Sequence, residues 1–304
     1  MKTIRSNILL VVTALIWGLA FVAQSVGMEY VGPFTFIAVR TLLGGLILIP
    51  VVYLMKWMNR KEHTKEKQVP ENSKMLYLGG VCCGLALFAG TCLQQIGIMS
   101  TSVGKAGFIT ALYIIIVPIL GIFLKKRVSK KLWVSVVIAI AGMYLLCVTE
   151  GFSINKGDVF VLAGAIAFSF HILLIDYFSP HVDGVKLSCI QFFTCAIIAG
   201  IVMFIVEEPK ITNILAAWQP IAYAGFMSCG VAYTLQIIAQ KNTDPVVASL
   251  ILSLESVFAC IFGFVLLHEI LTEEEFFGCI LVFIGIIVAQ LPDRNEKKIK
   301  EIEM

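Results

Sequence analysis

Apolar residues along this chain fall into ten long blocks, 7–27, 33–55, 75–99, 102–124, 131–148, 157–175, 185–206, 216–240, 245–267 and 275–291. At a rise of about 1.5 Å per residue, each block reaches across a hydrocarbon core about 30 Å thick. Most joints between them are short and carry turn or breaker residues, as in "GMEYVGP", "EGFSINKGD", "DYFSPHVDG", "EEPKITN" and "QKNTDP". The pattern predicts an all-α membrane protein of ten transmembrane helices, with no stretch left over for a soluble domain.

Composition agrees: 59% of residues are apolar and only 14% are charged, far from the usage of soluble domains. The nine cysteines all lie inside apolar blocks without C-x-x-C spacing, which reads as small packing residues rather than disulfides or metal ligands. The first block follows Lys2 and Arg5 in the manner of a signal peptide. It lacks a clear A-x-A site and has a counterpart later in the chain, so it is read as a span. One stretch, "GIMSTSVGKAGFIT" (97–110), imitates a phosphate-binding loop, but Met99 stands where the first Gly should be and Ala106 where the hydroxyl should be. No nucleotide site is expected from it, and no cofactor anywhere in the chain.

The basic residues set an orientation. With the N-terminus inside, alternating joints place 19 of the 23 Lys and Arg residues on the cytoplasmic side, including those of "KKRVSKK" (125–131), and only Lys105, Lys156 and Lys210 outside. Arg40 lies within a span. This bias supports ten spans with both termini cytoplasmic in a cell membrane. The long joint "MKWMNRKEHTKEKQVPENSK" mixes both signs of charge and reads as a solvated loop, not a nucleic-acid site.

The chain also repeats itself. Residues 93–124 laid over 235–266 without gaps give ten identities in 32 positions, among them Gln94/Gln236, Thr101/Thr243, Ala106/Ala248 and Gly121/Gly263. A one-residue shift then aligns Gly142 with Gly285. Five spans per copy is an odd number, so the second copy must enter the membrane from the opposite side. "KKRVSKK" accordingly corresponds to "HEILTEEE" (268–275), which has no Lys or Arg. The expected organisation is a first repeat over 1–148, an inverted second repeat over 149–292 and a basic cytoplasmic tail over 293–304. Such inverted repeats build secondary transporters around a site at the membrane midplane.

"LIWGLAFV" (15–22), Arg40 in "FIAVRTLLGGL", "KAGFITALYIIIVP" (105–118) and "ASLILSLESVFACIFGFVLLHEILTEEEFFGCILVFIGIIV" (248–288) carry a family likeness over almost the whole chain. On these residues the sequence resembles the drug/metabolite transporter superfamily, with two EamA-type domains. "LKKRVSKKLW" lacks the acidic residue of the pattern, matched in the second copy by Glu269, and "AFSFHI" replaces the Trp-Gly of the first span. The resemblance implies outward transport of small organic metabolites, amino acids or related amphipathic compounds among them.

Polar residues inside the spans mark the expected site. Span direction places Gln24, Arg40, Gln94 and Lys105 in the outer half of the membrane, His171, Gln191 and Gln236 in the inner half, and Trp17, Tyr113 and Glu255 near mid-depth. Trp17, Gln24, Arg40, Gln94, Lys105, Tyr113, His171, Gln236 and Glu255 are the candidate substrate contacts, with Glu255 also the candidate proton carrier. Duller roles stand beside these. Lys105 is near enough to its span end to snorkel, Arg40 and Glu255 fit a static pair, His171 fits a hydrogen-bonded packing residue, and the aromatics fit plain packing.

These features predict a secondary active transporter working by alternating access around a central polar cavity. A passive channel for small solutes is the alternative. An intramembrane enzyme is the less favoured one, since no H-E-x-x-H, G-x-S-x-G or metal cluster is found and no residue is assigned a catalytic role. The partners expected are a small-molecule substrate and the lipid bilayer, with the oligomeric state left open.

Overall fold

In hydrocarbon every backbone N–H and C=O must be satisfied within its own segment, which makes long apolar blocks helical. The computed structural model describes residues 2–61, 73–124, 129–148, 155–268 and 273–290, and every regular element among them is a helix. The long helices are α1 (Lys2–Gly27), α2 (Pro33–Lys61), α3 (Ser73–Ile98), α4 (Val103–Phe123), α5 (Lys130–Val148), α6 (Lys156–Phe178), α7 (Gly184–Val206), α8 (Trp218–Gln240), α9 (Pro245–Leu267) and α10 (Glu273–Gln290). Eight of them, α1–α4 and α6–α9, are long and apolar enough to cross a membrane. The tail 293–304, Glu269 and residues 125–128 of the basic joint lie outside the described residues.

Three of the expected continuous spans are not continuous α-helices. α4 breaks at Leu112 between Val103–Ala111 and Tyr113–Phe123, and α9 breaks at Ser253 between Pro245–Leu252 and Leu254–Leu267. Each break is closed by a tightened turn, Ile115 N–H to Leu112 O (2.9 Å) in α4 and Ser256 N–H to Ser253 O (3.1 Å) in α9. α8 is wound as a π-helix over Tyr223–Tyr233, and the joint before it holds a short helix, Ile211–Ala216.

The packing map keeps its form when helices 1–5 are exchanged with 6–10. α3 packs on α6 and α8 on α1, α3 on α7 and α8 on α2, and α4 on α6 and α9 on α1. The pairs α2–α7, α4–α9 and α5–α10 map onto themselves. Without a hydrophobic drive between helices in lipid, close approach comes from small residues. Gly142 of α5 faces the Gly278 carbonyl of α10, and its aligned partner Gly285 faces the Ser135 carbonyl of α5.

The α3–α6 seam is similarly close. A Cβ on Gly157 would come within 2.6 Å of the Gly97 carbonyl, and one on Gly164 within 3.1 Å of the Gly90 carbonyl. Backbone cannot yield there as a flexible side chain would. Gly157→Leu should therefore force the helices apart and lose about 1–3 kcal/mol, seen as a clear drop in the thermal-unfolding midpoint in detergent; an unchanged midpoint would contradict this packing.

Large apolar side chains such as Leu46, Leu85, Ile201 and Phe204 face outward. Exposed aromatics with a polar atom gather toward helix ends, Tyr53 and Trp57 on α2, Tyr77 on α3, Tyr144 on α5, Tyr177 on α6 and Trp218 on α8. Indole and phenol rings settle at the headgroup level, so these residues outline the two membrane interfaces.

Candidate functional site

In the crossing of α4 and α9, the first half of each helix packs on the second half of the other. The two breaks therefore meet, and they carry Tyr113 and Glu255 to the middle of the bundle. The Tyr113 hydroxyl lies beside the Glu255 carboxyl. A cavity opens around them. Its walls are Trp17, Ala20, Phe21 and Gln24 of α1, Arg40 of α2, Gln94 of α3, Thr110 and Tyr113 of α4, Phe168, His171 and Ile172 of α6, Ser228, Tyr233 and Gln236 of α8, and Glu255 of α9. Its empty volume, open mouth included, is about 460 Å³. Among the described residues, α5 and α10 contribute no wall residue.

Some of the walls are fixed by hydrogen bonds between helices. Gln94 Nε2 donates to Thr110 Oγ1 (3.0 Å), and His171 Nε2 meets Gln191 Oε1 of α7 at 3.0 Å. An aromatic cluster centres on Tyr233, whose ring lies 4.6 Å from that of Trp17 and 5.8 Å from those of His171 and Phe192. The Arg40 guanidinium sits 5.4 Å above the Phe36 ring.

Other wall groups are left open. Trp17 Nε1, Gln24 Oε1, Arg40 Nε, Tyr113 Oη, Gln236 Oε1 and Glu255 Oε1 are buried polar atoms that make no hydrogen bond among the described residues. Each such group costs about 1–3 kcal/mol when left unmet; the Tyr113 hydroxyl and the Glu255 carboxyl face each other, and the other four point to partners supplied from outside the chain. Arg40 and Glu255 are each only 3% exposed, and among the described residues Arg40 forms no ion pair. The static Arg40–Glu255 pair weighed from the sequence is not formed among the described residues; both side chains face the cavity instead.

Trp17, Gln24, Arg40, Gln94, Tyr113, His171, Gln236 and Glu255 are thus brought together around one space. Lys105 is not among them. Its ammonium bonds Asp158 Oδ2 of α6 at 2.8 Å, an arrangement that is neither lipid snorkelling nor a cavity contact. The sequence reading passed over Thr110, Ser228 and Tyr233. Tyr233 stands one turn before Gln236, a spacing that shares a helix face and would have pointed to it.

The sequence pattern of the EamA-like transporter family matches residues 4–148 and, a second time, 155–290. A protein of Archaeoglobus fulgidus described as an uncharacterized transporter is 30% identical over 95% of this chain and 87% of its own length. The uncharacterized transporter YwfM of Bacillus subtilis is 26% identical over 98% of both chains. A crystal structure shares the fold with a TM-score of 0.74 at 17% identity, covering 94% of this chain and 96% of the other.

Proposed function

Since the chain belongs to the EamA-like transporter family, and is a multi-pass membrane transporter rather than an enzyme, we propose that it moves small zwitterionic metabolites, amino acids or close relatives, outward by alternating access. The observation that carries this reading is the set of unmet polar atoms of Trp17, Gln24, Arg40 and Gln236 around one cavity, with the Tyr113–Glu255 pair between them. A guanidinium without an ion pair suits a carboxylate. A buried carboxyl beside aromatic faces suits an ammonium group. Trp17 and Tyr233 give the apolar part of the solute a wall.

In this reading Trp17, Gln24, Arg40, Gln94, Tyr113, His171, Gln236 and Glu255 bind the solute, with Thr110, Ser228 and Tyr233 added from the cavity walls. Lys105 is withdrawn from the binding set. Residues 1–148 and 149–292 act as two inverted repeats of five spans, whose exchange symmetry in the packing map is what two alternating states require. No ATP-binding motif is found in the chain, and uphill movement is assigned to a proton gradient through Glu255.

Transport distinguishes this from a channel. In proteoliposomes, uptake of a labelled amino acid should saturate and speed up when the same unlabelled amino acid is preloaded inside; unsaturable flux indifferent to preloading would establish the channel. The orientation is checked separately. In a functional background lacking reactive native thiols, Ser73→Cys should be labelled only from the cytoplasm and Glu274→Cys only from outside. Labelling of both from one face would break the ten-span arrangement.

A further inference from the structure

The two ends of the cavity are closed differently. At the end where α4 and α6 begin, the wall residue Phe21 packs into an apolar cluster with Val22, Ile98, Val103, Ala106 and Val161. Beyond that cluster lies a polar network. Lys105 Nζ meets Asp158 Oδ2 at 2.8 Å, Thr101 Oγ1 donates to Asp158 Oδ1 at 3.0 Å, and Asn155 Nδ2 donates to the Ser100 carbonyl at 2.9 Å. Asp158 also accepts the Asn155 backbone N–H at 2.9 Å while the Asn155 side chain caps α6 in return. The network therefore ties the α3–α4 corner to the first turn of α6. It stands off from the solute: Lys105 precedes Thr110 by five residues, about 7–8 Å along the helix.

Nothing in the shared scaffold requires a charge pair here. The offset that lays Thr101 over Thr243 lays Lys105 over Val247, and the offset that lays Arg40 over Gln191 lays Asp158 over Asn7. The corresponding positions of the second copy thus hold an apolar and an amide residue. An ion pair buried to this degree, 14% and 6% exposed, adds little net stability, but it has to be broken whenever α4 and α6 separate.

The geometry points to Lys105 and Asp158 as a latch that holds the α4–α6 end of the cavity shut, the end assigned above to the external face. This rests on the alternating-access reading. When the α3–α4 corner swings away from α6, the pair parts, water reaches both charges and the apolar cluster opens. The latch sets how often the cavity faces outward, without touching the solute.

A reporter inside the cavity tests it. Ser228→Cys is placed in the full chain, without reactive native thiols, in proteoliposomes, and labelled with a membrane-impermeant maleimide from either face. Lys105→Gln, which keeps a hydrogen-bonding group but no charge, should raise the labelling rate from the external face by about fivefold or more. Lys105→Arg, which keeps the charge, should stay close to the parent. Equal external rates in all three proteins, with the reporter still reactive from the cytoplasmic face, would overturn the latch and leave the transporter reading standing. A reporter unreactive from both faces in every protein would overturn the transporter reading and the latch with it.

Discussion

Glu255→Gln should abolish uphill, pH-gradient-driven flux while solute exchange persists, slowed by the loss of the carboxyl's contact with the solute. The carboxyl sits at the α9 break, 3% exposed, with Oε1 unmet and the Tyr113 hydroxyl beside it. A carboxylate in so dry a place has to be neutralised by a proton or by a cation, because burying it alone is too costly. If the cavity opens to each face in turn, the group meets water and protons from each side in turn. A net proton is carried only when its affinity for the proton differs between the two states. Gln keeps the shape and cannot release a proton, so exchange, which needs no net proton movement, continues. The measurement is accumulation in proteoliposomes under an imposed pH difference, with counterflow as the control. Accumulation by the Gln variant against the solute gradient would remove Glu255 from the coupling path.

Arg40→Gln should weaken binding of a carboxylate-bearing solute about 30-fold or more. The guanidinium lies two turns into α2, 3% exposed, held over the Phe36 ring and without an ion pair among the described residues. Removing one partner from a desolvated, charge-assisted contact typically costs 2–5 kcal/mol. The loss should track the solute's charge: the decarboxylated amine analogue, lacking the anion, should bind the variant and the parent alike. Thermal-shift titration reads both affinities. Equal weakening for acid and amine would reduce Arg40 to a structural cation of the α2 bundle.

The polar walls of the cavity were legible because hydrocarbon makes polar residues rare. A Gln, Arg or Glu inside an apolar block stands out in the sequence, and the repeat offset alone lays Tyr113 over Glu255. The helix breaks that bring this pair to the centre were not legible. No Gly or Pro lies within four residues of Leu112 or Ser253, so the turn there is set by the crossing of α4 with α9 rather than by local chemistry. The Lys105–Asp158 pairing was not legible for a related reason. Its partner Asp158 sits at the head of another helix, where a carboxylate in the first turn reads as an ordinary cap, and only the α4–α6 contact discloses the pairing.

The π-helical winding of Tyr223–Tyr233 divides two mechanical roles between the copies. α3, its counterpart, is a regular α-helix locked against α6 by Gly90, Gly97, Gly157 and Gly164. α8 is joined to α1 through Thr13 Oγ1 to the Ala232 carbonyl and Tyr223 Oη to the Ile16 carbonyl, longer-reaching contacts than a glycine seam. A π-wound stretch holds slack, since its hydrogen bonds can shorten by one residue and turn Tyr233 and Gln236 about the helix axis relative to Trp218. In a bundle that rocks, α3 with α6 forms the stiff beam and α8 the compliant one. If the bundle rocks, the slack in α8 turns Tyr233 and Gln236 at the cavity wall, whereas α3 moves as one body with α6.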